Sequence, residues 1–386
     1  MEDHSSLKAE YNMASLTRLI RYPTALGRII IIIMNNIYCI PTYVIWMIIL
    51  TPLKCINSKA YYKIEGLFFH WLLAIVALWS YTAGYDIVET GDDISECRDK
   101  RTLVIVNHQS TADVPLLMAN FNTKRGVLPN IMWIMDRLFK YTNFGIVSMI
   151  HQDFFITSGK QHRDSSIRAL REHIQYTYFE STKKWIVLFP EGGFLRKRKE
   201  VSRNFALKNN LPLLEYVTIP RVGAFQAIFE TMRSKDSNYS QNTVQSNNVS
   251  LNKNIEQALL EYVLDITVAY PDQNPLDLSN IVHGLRRPCT TYMFYRLYKA
   301  ESVPREENAM KQWLYDRFIE KNGLLENFYK LGTFIPNEPL HEHLIQQDVL
   351  RFVLINVFFI ISTYFHMKLI YKFYAQCVYY VHQVTS

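Results

Sequence analysis

The sequence predicts an α/β domain built around a mixed sheet, with an N-terminal membrane hairpin before it and a C-terminal membrane-associated segment after it. Three observations carry that expectation. Two long apolar runs open the chain, short apolar strands alternate with helical segments between Thr102 and Tyr270, and a further apolar stretch lies near the end.

The first run, Ile29 to Leu50, is uncharged, is interrupted by Asn35, Asn36 and Pro41, and is bounded by Arg28 and Lys54. It is long enough to span a bilayer, it is too long for a signal-peptide core, and no small-x-small cleavage site follows it. The second run, Gly66 to Gly84, is apolar and aromatic with His70 inside it. Together they predict a hairpin over 29–84 after a tail over 1–28. Lys8, Arg18, Arg21, Arg28, Arg98, Lys100 and Arg101 flank the outer ends, against Lys54, Lys59 and Lys63 in the connection. That bias places the tail and everything after residue 84 on the cytoplasmic side.

Within the predicted domain, 85–345, strands are expected at Thr102 to Val106, Phe144 to Ile150, Trp185 to Phe189, Tyr216 to Ile219 and Ile266 to Ala269. Helices are expected at Val114 to Phe121, Met132 to Lys140 and Ser165 to Phe179, the second from its Met132, Met135, Leu138 stripe. Residues 233–254, rich in Ser, Asn and Gln without apolar period, predict a flexible insertion, whose sequons at Asn238 and Asn248 are expected to be unused. The stretch Phe352 to Tyr371 is apolar enough to span but contains His366 and Lys368, so 346–386 is expected either to cross the membrane or to lie in its interface.

Composition narrows the class. With 49% hydrophobic residues and a formal charge of +7, the chain is neither disordered nor collagenous, and its five cysteines include no Cys-x-x-Cys pair that would suggest a disulfide framework or zinc site. The basic excess is concentrated at Lys183, Lys184, Arg196, Lys197, Arg198, Lys199 and Arg203, which calls for an anionic partner. The apolar ends favour a phospholipid surface or phosphate-bearing metabolite over nucleic acid.

The most informative segment is Val104-Ile-Val-Asn-His-Gln-Ser-Thr-Ala-Asp113. A buried strand runs into His108, and Asp113 precedes Val114-Pro115 at the start of a helix, so both share one strand-to-helix loop. At that spacing the carboxylate can fix one imidazole nitrogen and leave the other free to take a proton from a hydroxyl. Taken alone, the pattern also fits an Asp that merely caps a helix.

A second constellation is Trp185-Ile-Val-Leu-Phe-Pro-Glu-Gly-Gly-Phe-Leu-Arg196. Gly192 and Gly193 let the backbone approach a ligand, Arg196 adds charge, and Glu191 is an acid in a basic loop; the plain alternative is a turn. His151 and Asp153 stand two apart, but no third and fourth ligand stands near, so no metal is expected.

Asn107-His108 with Asp113, followed by Phe189-Pro190-Glu191-Gly192, resembles the glycerolipid acyltransferase family. The similarity is strongest over 102–225, and two ordered motifs are far more specific than either alone. The resemblance implies transfer from acyl-CoA, as substrate rather than cofactor, to a lysophospholipid hydroxyl at the endoplasmic reticulum membrane. Lysophosphatidylglycerol is the implied acceptor, with lysophosphatidylethanolamine or lysophosphatidylinositol as alternatives. It maps the family's base onto His108, the orienting acid onto Asp113, and the acceptor motif onto Glu191 and Gly192. Where the family's phosphate-binding arginine is expected, this chain has Thr157, which leaves Lys160 or Arg163 as substitutes. Val217-Thr-Ile-Pro220 resembles a further block, in which Pro220 would shape the acyl-donor site.

The competing classes are a lipid-binding or scaffolding membrane protein, which would not need His108 and Asp113, and a lipid esterase or transacylase using the same pair. A thioester is already activated, so base, positive charge and positioning suffice for the favoured reaction. A serine acyl-enzyme through Ser110 is the minor alternative.

Overall fold

Eight strands form one mixed sheet in the order β4-β3-β5-β2-β6-β7-β1-β8 in the computed structural model. The structure describes residues 2–233, 259–336 and 342–385, and their side chains except those of residues 2–20, 160 and 385. Nearly all of the predicted insertion at 233–254, with Asn238 and Asn248, lies outside the described residues, as does the side chain of Lys160.

The strands are β1 (Tyr85–Gly91), β2 (Thr102–Val106), β3 (Ile131–Asp136), β4 (Phe154–Ile156), β5 (Trp185–Leu188), β6 (Tyr262–Ala269), β7 (Cys289–Lys299) and β8 (His343–Leu344). β2 pairs in parallel with both β5 and β6, whereas β7 runs antiparallel to β6. All five residues of β2 are buried, because the sheet is covered on both faces. Val104 and Val106 face a layer that contains Phe69, Leu116 and Leu117, while Leu103 and Ile105 face Leu170, Phe225 and Phe318. Burying each such side chain stabilises the fold by about 1.5–3 kcal/mol. This central strand therefore ends at a rigid point.

The first layer is supplied by α2 (Ser58–Thr82), α3 (Asp113–Asn122) and, through Ile281, the short α8 (Leu278–His283), and the second by α5 (Arg163–His173), α7 (Val222–Met232) and α9 (Glu307–Leu331). α1 (Glu2–Ile56) turns into α2 at Asn57, whose side chain accepts a hydrogen bond from the Ala60 N–H at 3.0 Å. Most of α2 is buried against the domain, so its His70 is not a lipid-facing charge: Asn122 Oδ1 and the Arg351 guanidinium both approach the ring. α10 (Val349–Thr385) is one unbroken helix through His366 and Lys368. It runs alongside α1 in the same direction, through Tyr38 to Asn356 at 2.6 Å and Trp46 to Ser362 at 2.7 Å.

Three expected elements differ. Residues 132–140 form β3 and a 3-10 turn rather than a helix, because Met132 and Ile134 face the second layer while Ile131 and Trp133 face the first. A strand buried on both faces presents a continuous apolar run that also fits a helical stripe. Residues 145–150 form α4 (Gly145–Ile150) rather than a strand. A Cβ on Gly145 would stand 2.2 Å from the Lys140 carbonyl oxygen, so only glycine admits that tight entry. Residues 216–219 form no strand, since side chains take their N–H groups: Asn322 takes that of Tyr216, Glu191 that of Thr218 and Ser202 that of Ile219. That exchange places Glu191 where it is needed.

Candidate active site

β2 and β5 are adjacent and parallel, so the loops that leave their carboxyl ends meet above the same edge of the sheet. His108 follows β2 and Glu191 follows β5. Asn107 sets the departure by bonding both backbone groups of Val268, donating to its carbonyl at 3.0 Å and accepting from its N–H at 2.7 Å. The next residue is thereby turned out of the ladder.

Asp113, fully buried at the first turn of α3, holds the His108 Nδ1 at 2.8 Å through Oδ2. The same oxygen accepts the N–H groups of Gln109 at 2.7 Å and Ser110 at 2.9 Å, and Oδ1 accepts the Tyr270 hydroxyl at 2.5 Å. Four donors converge on one carboxylate, which suits its ionised form. Burial and the nearby carboxylate push the Tyr270 phenol well above its ordinary range, so it remains a donor. Because Asp113 can only accept, Nδ1 of His108 carries the hydrogen, and Nε2 presents its lone pair with no hydrogen-bond partner among the described residues. Phe189 stacks on the imidazole at 4.2 Å between ring centroids, and Phe194 packs on it at 4.4 Å. The ring is fixed, and its side chain keeps 13% exposure.

Ser110 does not serve His108. Its hydroxyl donates to the Leu276 carbonyl and accepts from the Ala112 N–H at 3.0 Å, so the serine alternative finds no support in the geometry.

Glu191 is buried and points inward. Oε1 accepts the His108 N–H at 2.6 Å, and Oε2 accepts both the N–H and the hydroxyl of Thr218 at 2.7 Å. Burial pushes its carboxyl up to about 7, against the pull of these three hydrogen bonds. Glu191 thus ties the β2 and β5 loops to the 216–219 segment, and the Leu195 N–H donates to the His108 carbonyl at 2.8 Å to close the ring of contacts. Gly192 and Gly193 have φ of 67° and 152°, conformations that L side chains rarely adopt.

The acyltransferase family profile matches residues 87–235, and the profile described as the acyltransferase C-terminus matches 280–360. Acyl-CoA:lysophosphatidylglycerol acyltransferase 1 of Mus musculus is 41% identical over 353 residues, 91% of this chain and 94% of that protein. Its Homo sapiens counterpart is 40% identical over 354 residues with the same coverage. This chain belongs to the glycerolipid acyltransferase family. Lysocardiolipin acyltransferase 1 of Mus musculus is more distant, at 27% identity over 72% of the chain and 67% of that protein.

The acyltransferase brings His108, Asp113 and Glu191 together, with the Gly192-Gly193 turn beside them. Pro220 is buried at the end of the segment that Glu191 holds, next to Arg221, whose N–H donates to the Pro190 carbonyl at 2.8 Å. Arg196 is exposed on α6 (Leu195–Lys208), and Arg163 is exposed at the start of α5. Tyr270, Thr218 and Phe194 were not singled out from the sequence. Tyr270 directly follows the predicted strand 266–269, but nothing local shows that β6 delivers it to Asp113.

His151 also falls elsewhere. Its Nδ1 meets Glu65 Oε1 of α2 at 2.8 Å and its Nε2 meets the Ile131 carbonyl at 2.9 Å, while Phe69 stacks on the ring. Both ring nitrogens are thus engaged inside the domain. This buried pair, joined by the Tyr43 hydroxyl at 2.7 Å, fastens the hairpin to β3.

Proposed function

We propose that this acyltransferase moves an acyl group from acyl-CoA to the free hydroxyl of a lysoglycerophospholipid, with lysophosphatidylglycerol as the first acceptor to test. The reading rests on one observation above others: His108 Nδ1 is held by Asp113 while Nε2 is free. In the proposed step, Nε2 takes the acceptor hydroxyl proton as that oxygen attacks the thioester carbonyl. Collapse of the tetrahedral adduct breaks the C–S bond, and the leaving thiolate takes the proton back from the imidazolium. Asp113, oriented by Tyr270, offsets the imidazolium charge during the step. The basic helix α6 and the Gly192-Gly193 turn supply positive charge and exposed backbone for the phosphate groups, and Pro220 shapes the donor side.

The acceptor follows from the names of the relatives at 40–41% identity. The reading extends to the endoplasmic reticulum membrane with the α/β domain on its cytoplasmic side; three helices long and apolar enough to cross a bilayer support the membrane attachment alone, and the Lys/Arg bias of the sequence supports the side. Membranes carrying the full chain are to be supplied with labelled palmitoyl-CoA or, separately, labelled diacyl phospholipid, across lysophospholipids differing in headgroup. Labelling of lysophosphatidylglycerol from palmitoyl-CoA alone is expected. Labelling from diacyl phospholipid without acyl-CoA would make the protein a transacylase, and release of free fatty acid without acceptor would make it an esterase.

A further inference from the structure

The turn that follows Glu191 has an unclaimed cation against it. A Cβ built on Gly192 would stand 2.9 Å from the Arg221 Cζ and Nε, so the guanidinium lies directly on that turn. Arg198 flanks the next residue, 3.2 Å from where a Gly193 Cβ would be. Arg163 lies by Gly223, two residues past Arg221 in the first turn of α7, its Nε 3.8 Å from where a Gly223 Cβ would be. No carboxylate pairs with any of the three among the described residues. Nearby acids are otherwise engaged: Glu230 with Arg171, Glu215 with Lys199, and Glu191 with His108 and Thr218. Burial and the neighbouring Arg198 both lower the Arg221 guanidinium from its ordinary value, as expected of like charges held together without an anion.

The position also fits a substrate. The turn is joined to His108 by the two rings that pack on the imidazole, Phe189 and Phe194. The Arg221 N–H is itself fixed on the Pro190 carbonyl. We propose that Arg221, with Arg198 beside it, forms an anion subsite that holds a substrate phosphate next to the Glu191–Gly193 turn. A planar guanidinium offers two parallel N–H donors to phosphate oxygens, which a lysine cannot. The phosphate is either that of the acceptor's glycerophosphate or one belonging to coenzyme A, and the assignment rests on the acyl-transfer reading above.

The test is steady-state kinetics of the full chain in detergent or nanodiscs, with lysophosphatidylglycerol and palmitoyl-CoA varied separately. Wild type, Arg221→Ala, Arg221→Lys and Arg198→Ala are compared after thermal melts show which remain folded. Arg221→Ala is expected to raise one KM by about tenfold or more with kcat nearly unchanged, and Arg221→Lys to recover only part of it. A shift in the lysophosphatidylglycerol KM assigns the subsite to the acceptor; a shift in the palmitoyl-CoA KM assigns it to the donor. If every KM stays within about twofold, or kcat alone falls, the subsite is refuted. Should Arg221→Ala not fold, the KM of Arg198→Ala decides by the same criterion. A wild-type chain that transfers no acyl group overturns the parent reading and the subsite with it, and that failure is visible before any variant is measured.

Discussion

In the proposed step His108 acts as a base while Asp113, held by the Gln109 and Ser110 N–H groups and the Tyr270 hydroxyl, stays aimed at its Nδ1. Asp113→Asn is therefore expected to lower kcat by about 10²–10⁴-fold with the chain still folded. Tyr270→Phe removes one of the four donors and should cost about 1–3 kcal/mol of that support, read as a smaller fall in kcat. Glu191 behaves differently, because burial raises its carboxyl from an ordinary 4.5 to about 7. A group raised in the folded state contributes stability fully below its unfolded value and loses it as pH rises through the folded one. Thermal stability should therefore decline between about pH 4.5 and pH 7 by about 1.4 kcal/mol per unit, and Glu191→Gln should flatten that slope. Melting both proteins across this range checks it; a wild-type slope matching the variant's would refute it. At this scale the sequence was most legible, since His108, Asp113 and Glu191 lie in loops whose flanking strands are short, apolar and bounded. Thr218 and Tyr270 were not, because each reaches the site only through pairing between segments distant in sequence.

Elements were legible where a segment decides its own conformation and opaque where a neighbour decides it. The strands β2 and β5 and the helix α3 fall almost where their patterns place them. β3 could not be told from a helix, because both of its faces are buried, and 216–219 reads as a strand although side chains satisfy its backbone. The helix α6 is too densely charged, and α9 carries too little apolar periodicity, to stand out. The Gly192-Gly193 turn gives the sharpest prediction at this scale. Gly192→Ala would add a Cβ at φ 67° against the Arg221 guanidinium, costing about 1–2 kcal/mol and displacing that side chain. A variant as stable as wild type would contradict the tight turn. Glu65→Ala should be more severe, at about 1–3 kcal/mol for each buried group left unsatisfied, since both the His151 Nδ1 and the Tyr43 hydroxyl lose their partner beneath the hairpin. A melting temperature unchanged from wild type would show that the pair does not fasten the hairpin to the domain.

At the scale of the molecule, α1 and α10 expose Ile30, Ile33, Met34 and Ile37 on one and Leu354, Val357, Ile361 and Phe365 on the other, surfaces that water would not tolerate. Membranes should retain the protein after washing with high salt, because apolar contact is unscreened; release by salt alone would contradict the membrane-embedded reading. The parallel packing of α1 and α10 adds a topological prediction. Trp46 and His366 meet at 5.7 Å, so Cys55 and Cys377, both exposed further along their helices, lie at nearly one depth. Single-cysteine variants in sealed microsomes should then be shielded from an impermeant thiol reagent together and react together after permeabilisation. The two apolar ends were legible as membrane segments from composition alone. That α2 is largely buried on the domain was not, since a run apolar on every face fits lipid and protein interior equally.

The central claim is that a free imidazole nitrogen of His108 takes the acceptor proton. The most direct test is single-turnover transfer from labelled palmitoyl-CoA to lysophosphatidylglycerol by wild type and His108→Ala at matched expression. A loss of about 10²-fold or more with undiminished binding of both substrates is expected. Transfer by His108→Ala at the wild-type rate would contradict it.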